Sequence, residues 1–458
     1  MKKMNILYIH THDSGRMFQP YGHAVPTPNL MQFAKDAVVF RQAFCAGPTC
    51  SPSRAALLTG MYPHSNGMLG LSHRGFSLND YHKHLASFLK EYGYKSVLCG
   101  IQHEAGWYLE PESAAKTIGY DINLSADNSG IRDEDLVHWD LENAKRVSEW
   151  VREHGHEEQF FLAYGMFANH RRFPDEIDPE INEKYLVPPY PIPDTAENRQ
   201  DHARFLTSAA WFDRCFGQVI QALKDNELYE NTIIISTTDH GLPLPYSKCT
   251  LYDSGIGISM IMRVPGATSN GKVSDQLVSH VDVFPTICEL INIDKPMWLQ
   301  GTSFGEVFND VATAHRDEIF AEINFHTSYE PVRCVRTKRY KYIRFFDQEY
   351  LKTNCSNIDA SMPKAMLMEN GLIEQVKPEE GLYDLYHDIG ERRNLVGNPV
   401  YEEVLEQMRT RLQAWMEKTN DPLLQGAIKL QTGWKVNLKT SIDPFSKNPE
   451  DFEIISGL

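Results

Sequence analysis

The sequence predicts a doubly wound α/β fold with a mostly parallel sheet, followed by a smaller C-terminal α+β subdomain on an antiparallel sheet. Three features carry that prediction. Short, almost wholly apolar runs alternate with amphipathic helical stretches over residues 5–291. These runs lack the polar alternation of a half-exposed strand, as strands covered on both faces require. From about residue 315 the texture changes to runs that alternate charged and apolar residues, the pattern of antiparallel strands with one solvated face.

The core strands are NILYIH (5–10), KSVLCG (95–100), FFLAYG (160–165) and TIIIST (232–237), with SMIMRVPG (259–266) as a further strand. Helices fall at 29–37, 81–92, 141–154 and 196–223, and HVDVFPTICELI (280–291) supplies another. Strand and helix in this order wind helices onto both faces of a parallel sheet. EIFAEIN (318–324) and VRCVRTKRYKYIRFF (332–346) are the antiparallel strands, and a helix spans 401–418. The expected division is therefore a catalytic α/β domain over 1–315 and an α+β subdomain over 316–458. Residues 171–193, rich in proline and acidic side chains, form a surface excursion beside the site. There are no internal repeats and no low-complexity tract.

Composition narrows the function. Of 458 residues, 42% are hydrophobic and 23% charged, the balance of a globular protein. The net charge of −16 argues against nucleic acid and anionic membrane as partners. No apolar run reaches the ~18 residues of a membrane span, and the N-terminus MKKMNILYIHTHD lacks the apolar stretch of a signal peptide. The eight cysteines (45, 50, 99, 215, 249, 288, 334, 355) are scattered without CxxC spacing. They are expected as free thiols in a cytoplasmic protein.

PTCSPSRAALLTG (48–60) begins a helix, with Ser51 expected at the N-cap, Pro52 at the first helical position and Gly60 as the stop. Cys50 then lies where backbone N–H groups favour negative charge, and Arg54 adds a fixed cation one turn on. In open α/β sheets, ligands bind beyond the carboxyl ends of the strands. The four core strands run into Thr11-His12-Asp13, Ile101-Gln102-His103, MFANH ending in His170, and Thr238-Asp239-His240-Gly241 with Lys248 soon after. One histidine at a strand end is most often structural; four strand ends beside one cysteine form a site. His12, Asp13, Asp239 and His240 offer oxygen and nitrogen donors for a divalent ion such as Mn²⁺ or Zn²⁺. Arg54, Lys248, His103 and His170 would surround it with groups that bind a tetrahedral oxyanion or move protons. That equipment suits displacement at sulfur or phosphorus.

CSPSRAALLTG resembles the Cys-x-Pro-Ser-Arg signature of the formylglycine-dependent sulfatases of the alkaline phosphatase superfamily. The flanks TPNLMQFAKDAVVFRQAF and MYPHSNGMLG, the segment TTDHGLPLPYSKCTLYDSG, and LYDLYHDIGERRNLVGNPVYEEVLEQMRTRLQAW near the C-terminus are similar to that family as well. The resemblance runs from about residue 4 to 420 and is closest to the heparan N-sulfatase (N-sulfoglucosamine sulfohydrolase) branch.

The resemblance implies an alkaline-phosphatase-like fold and one divalent metal, Ca²⁺ by family, held by His12, Asp13, Asp239, His240 and residue 50. It implies that a formylglycine-generating maturation enzyme reads Pro52 and Arg54 and oxidises Cys50, whose aldehyde hydrate is the nucleophile. Arg54, His103, His170 and Lys248 would then serve the sulfate of a small anionic sugar, as O-sulfate or N-sulfate. Two positions depart from the family. His12-Asp13 and Asp239-His240 stand where Asp-Asp and Asp-Asn are usual, which favours Mn²⁺ or Zn²⁺ over Ca²⁺. Ile101 stands where the family has lysine. The alternatives are a phosphonate or phosphate ester hydrolase on the same scaffold, favoured by the Asp-His pair, and a non-catalytic binding protein. A cysteine-phosphatase loop sets its arginine farther from the cysteine than Arg54 is from Cys50, and that reading falls.

Overall fold

The computed structural model describes residues 4–106 and 110–453. The N-terminal lysines at 2 and 3, and the last five residues of the C-terminal division, lie outside them. The strands are β1 (Asn5–Thr11), β2 (Val38–Phe40), β3 (Ala43–Phe44), β4 (Lys95–Gly100), β5 (Ile122–Asn123), β6 (Phe160–Gly165) and β7 (Thr232–Thr238). They continue as β8 (Met260–Arg263), β9 (Val273–Ser274), β10 (Val278–Ser279), β11 (Glu318–Phe325), β12 (Tyr329–Thr337), β13 (Tyr340–Phe345) and β14 (Glu380–Asp384).

Eight of them form one sheet in the order β5-β4-β6-β1-β7-β8-β2-β9. The middle strand β1 pairs in parallel with β6 and β7, Ile6 lying opposite Phe161 on one side and Ile233 on the other. β8 runs antiparallel to both its neighbours, so the sheet is mostly rather than wholly parallel. Alternate residues of the central strands feed two apolar layers. Ile6, Tyr8, Phe161, Ala163, Ile233 and Ile235 pack on one face with Leu57, Leu89 and Phe284. Leu7, Ile9, Leu162, Tyr164 and Ile234 pack on the other with Val147, Phe212 and Phe216. Each fully buried aliphatic contributes about 1.5–3 kcal/mol, so the continuous apolar runs are what hold the middle of the sheet.

Several helices differ from their expected bounds, each for a local reason. The stretch 81–92 is a turn at Tyr81–Lys83 followed by a helix only from Leu85 to Lys90. Asp80 accepts from the His82 N–H and His84 Nδ1 from the Ala86 N–H, so side chains interrupt the run. The expected 141–154 helix begins earlier and spans Leu136–His154, because Leu136, Val137 and Trp139 also bury. The first helix covers Pro28–Ala34, and the long one runs Ala196–Asp225. The stretch 280–291 divides into a turn at His280–Asp282, closed by a capping box from Ser279, and a helix Val283–Leu290. Ser51 is not the N-cap of its helix. The helix spans Cys50–Thr59 with Thr49 before it, Gly60 ends it in the left-handed conformation, and Ser51 Oγ accepts from the Ser72 N–H at 3.0 Å. Pro52 is tolerated because a first-turn N–H has no partner within the helix in any case.

The strands β11 to β14 form a sequential antiparallel sheet. Arg344 faces water, but most of the sheet's alternating charges are buried. One face packs on the helix Glu402–Lys418 through Phe320, Val335, Tyr342, Leu412 and Trp415. The other, with Ile319, Ala321, Ile323 and Cys334, joins the apolar layer of the large sheet. The charged side chains close buried ion pairs instead: Arg333 with Asp421, and Lys341 with Asp253 and Glu391. All eight cysteines are buried thiols. Among the described residues no helix is long and apolar enough to cross a membrane.

Candidate active site

The carboxyl ends of β1, β4, β6 and β7 and the first turn of the helix Cys50–Thr59 converge on one buried point. All ten residues of that helix are buried, and Ser53 Oγ donates to the Asp239 carbonyl oxygen, tying helix to strand end. The Cys249 N–H donates to the Pro48 carbonyl, which brings the Lys248 loop to the same place. After β6, the Asp140 carboxylate accepts the Phe167 and Ala168 N–H groups at 2.7 and 2.9 Å and steers the chain toward His170.

Asp239 is the hub. Its Oδ1 accepts from the backbone N–H of Asp13 (2.8 Å) and of His240 (2.9 Å). Its Oδ2 faces His12 Nδ1 at 3.1 Å, Arg54 at 3.5 Å and His240 Nε2 at 3.7 Å. Burial would push the Asp239 carboxyl up, but His240, His12 and Arg54 outweigh it and hold the group well below the usual carboxylate range. Arg54 NH2 donates to His12 Nε2 at 2.7 Å. A guanidinium only donates, so Nε2 is the acceptor and the ring proton of neutral His12 sits on Nδ1, toward Asp239. Burial, with Arg54 beside it, pushes His12 well below its ordinary value and keeps it neutral. His240 is oriented the other way. Its Nδ1 faces the Gly241 carbonyl oxygen at 3.1 Å and donates to it, so Nε2 is the nitrogen turned toward the cluster. That nitrogen lies 3.3 Å from Asp13 Oδ1 and 3.5 Å from Cys50 Sγ.

Three ligand atoms, His240 Nε2, Asp13 Oδ1 and Cys50 Sγ, thus crowd together, and Asp13 Oδ1 accepts no hydrogen bond although buried. Such a cluster fits a cation. His12, Asp13, Cys50 and Asp239 each bring a ligand atom to within 4.8 Å of the others. Burial pushes the Cys50 thiol up, and Lys248 and Arg54 offset this only partly against Asp13 and Asp239. The residue is therefore a thiol, a poor nucleophile as it stands.

The remaining expected residues ring this point. Lys248 Nζ donates to Asp13 Oδ2 at 3.0 Å. The His170 ring stands 5.2 Å from that of His12, edge to face, and is part exposed. His103 lies 6.4 Å from His12 and stacks on His73, with 3.1 Å between His103 Nε2 and His73 Nδ1. Ile101, at the position of the family's lysine, packs beside Leu136, Trp139 and Phe167. All nine side chains singled out in the sequence meet here. Sequence reasoning missed His10, 3.5 Å from Arg54, although it is adjacent to a chosen motif, and His73. It also missed Asp359, 2.9 Å from Lys248, which no motif adjoins.

A mostly parallel sheet with cationic and cation-binding side chains at its carboxyl ends is the arrangement of alkaline-phosphatase-like hydrolases. The comparisons narrow it further. The Sulfatase family model matches residues 4–293, and that of the N-sulphoglucosamine sulphohydrolase C-terminal region matches residues 239–357. An ulvan-active sulfatase of Formosa agariphila is 29% identical over 475 residues, covering 92% of this chain and 76% of that protein. Human N-sulphoglucosamine sulphohydrolase is 26% identical over 459 residues, covering 91% of each. The solved structure of a 2-O GAG sulfatase superposes with a TM-score of 0.73 at 21% identity, covering 93% of this chain and 94% of that one. This chain belongs to the sulfatase family.

Proposed function

We propose that the protein removes sulfate from a small sulfated sugar, an O-sulfate ester or an N-sulfate, using residue 50 as formylglycine and one bound divalent cation. The observation that carries the reading is the meeting of Cys50, Arg54, Asp13, Asp239, His240 and Lys248 at one buried point. The relatives' named activities on ulvan and on N-sulphoglucosamine support the substrate class.

In formylglycine form, residue 50 supplies a hydrate oxygen that attacks sulfur, and its second hydroxyl lets sulfate leave as the aldehyde re-forms. The cation would be held by Asp13, Asp239, residue 50 and His240, with His12 joining only if Arg54 releases its Nε2; it would supply Lewis-acid charge next to the sulfate oxygens. Two carboxylates with imidazole favour Mn²⁺ or Zn²⁺. Arg54 and Lys248 bind sulfate oxygens and orient the ester. His170, at the rim, protonates the departing sugar oxygen or nitrogen. His103, pushed by burial and by His73 well below its ordinary value, is neutral and can accept a proton from residue 50.

Two further elements belong to this reading. The catalytic domain covers 1–315 and the subdomain 316–458, a division supported by the antiparallel sheet that begins at Glu318. Eight buried thiols support a cytoplasmic location, where a formylglycine-generating enzyme would be the maturation partner. A second reading, phosphonate or phosphate ester hydrolysis, is favoured by the Asp239–His240 pair.

The test is sulfate release from a panel of sulfated mono- and disaccharides, beside aryl phosphonate and phosphate esters. The peptide containing residue 50 should be about 18 Da lighter than its cysteine form, and Cys50→Ala should abolish turnover with the fold retained. Full activity from protein that carries only Cys50 overturns the formylglycine chemistry. Faster hydrolysis of the phosphonates selects the second reading.

A further inference from the structure

The Lys248 ammonium lies between two buried carboxylates on opposite parts of the chain. Asp13 Oδ2 is 3.0 Å away at the end of β1, and Asp359 Oδ2 is 2.9 Å away in the segment between β13 and β14. Asp359 is 5% exposed and forms an ion pair with Lys248, and His170 and His326 also lie close enough to favour its charged form. Burial disfavours the ammonium, but Asp13 and then Asp359 outweigh it and hold Lys248 well above the ordinary lysine value.

A buried carboxylate is costly unless it is paired, and Asp359 is paired with Lys248. Asp13 also has to face the cation, while its Oδ2 accepts from Lys248 at 3.0 Å. A second carboxylate on the far side divides the ammonium between two anions. Lysine has three N–H donors, so an ammonium fixed in this way can still donate to an incoming oxyanion.

We propose that Asp359, contributed by the C-terminal part of the chain, is a positioning residue for Lys248: it holds the ammonium midway between its own carboxylate and Asp13 and so fixes where Nζ meets the sulfate. This rests on the reading of Lys248 as a sulfate-binding group. The site is then incomplete without the segment that carries Asp359.

The experiment compares wild type with Asp359→Asn, Asp359→Glu and Asp359→Ala on a sulfate ester that wild type hydrolyses. Loss of such a partner is expected to lower kcat by about 10–100-fold, with KM within about 3-fold. Asp359→Glu, which keeps the charge, should recover part of the loss, and Asp359→Asn should melt within a few degrees of wild type. A crystal structure of Asp359→Asn should show Lys248 Nζ moved away from position 359, beyond the 2.9 Å it keeps in the wild type. The proposal is overturned if Asp359→Asn keeps kcat and KM within about 2-fold, if Asp359→Glu is no better than Asp359→Ala, or if Nζ has not moved. If wild type hydrolyses no sulfate ester, the sulfatase reading has failed on its own, and the position of Nζ in the Asn variant still decides the role of Asp359.

Discussion

Arg54 reaches Asp239 chiefly through His12, whose ring lies between the guanidinium at 2.7 Å and the carboxylate at 3.1 Å. A second carboxylate at position 12 would have formed an ion pair with Arg54 and still offered an oxygen to the cation; the imidazole spends its Nε2 on Arg54 and has no lone pair left to give. His240, whose Nε2 faces the cluster, is the nitrogen donor the cluster has to give. Purified protein should therefore carry Mn²⁺ or Zn²⁺. His240→Ala should lose it, while His12→Ala should lower affinity less, as metal analysis of the three proteins would read. One calcium per chain retained in both variants would end that assignment. At the rim, His170 is placed to deliver a proton, and His170→Ala should lower kcat by about 10²–10⁴. An unchanged kcat with a reduced melting temperature would make His170 structural.

The elements deliver these side chains because strand ends here are tightly built. Gly100 closes β4 at φ +80, and a Cβ on it would lie 2.0 Å from the Gly165 carbonyl oxygen at the end of β6. These two ends lead to His103 and His170. Gly100→Ala adds a left-handed alanine and a backbone clash, so it should cost at least about 2 kcal/mol and displace His103. Denaturant unfolding together with kcat measures both effects, and a variant of wild-type stability and rate refutes the account. The helix Cys50–Thr59 obeys a similar constraint. It is buried all round, so its sequence carries no amphipathic stripe, and its placement depends on Ser53 at Asp239 and on Gly60 at its end.

For the whole molecule, the burial of histidines sets an acid limit. Burial pushes His84 and His280 down to about 3, and His73 and His202 to about 4. In the unfolded chain they protonate near about 6.5. Between that pH and about 4 the unfolded state binds more protons than the fold, so stability falls as pH falls. Asp140 and Glu391, pushed up by burial to about 7, act in the opposite sense, since the fold takes up their protons first. Counting His10, His12, His23, His103 and His326, also held down, against Glu104 and Asp213, also pushed up, nine groups stand against four and leave a net loss, at up to about 1.4 kcal/mol per pH unit for each unbalanced proton. The urea midpoint at pH 5 should lie below that at pH 7. An equal or higher midpoint at pH 5 would contradict it.

Sequence by itself determined the core strands of the large sheet and the gathering of the histidines and aspartates at their carboxyl ends. Continuous apolar strands can be satisfied only by burial on both faces, and the ends of neighbouring parallel strands necessarily lie together. It misjudged elements governed by single side chains, such as the helix interrupted at His84 and the cap assigned to Ser51. It also misread the charges of β11 to β14, since alternation looks the same whether the polar face meets water or, as with Arg333 and Asp421, a buried partner. Tertiary structure alone decided which nitrogen of His12 and of His240 faces the cluster, because that is set by what the other nitrogen touches. It alone brought Asp359 to Lys248 across 111 residues of chain (359 − 248). A contact between segments so far apart leaves no local spacing to read; packing of the second sheet on the first creates it.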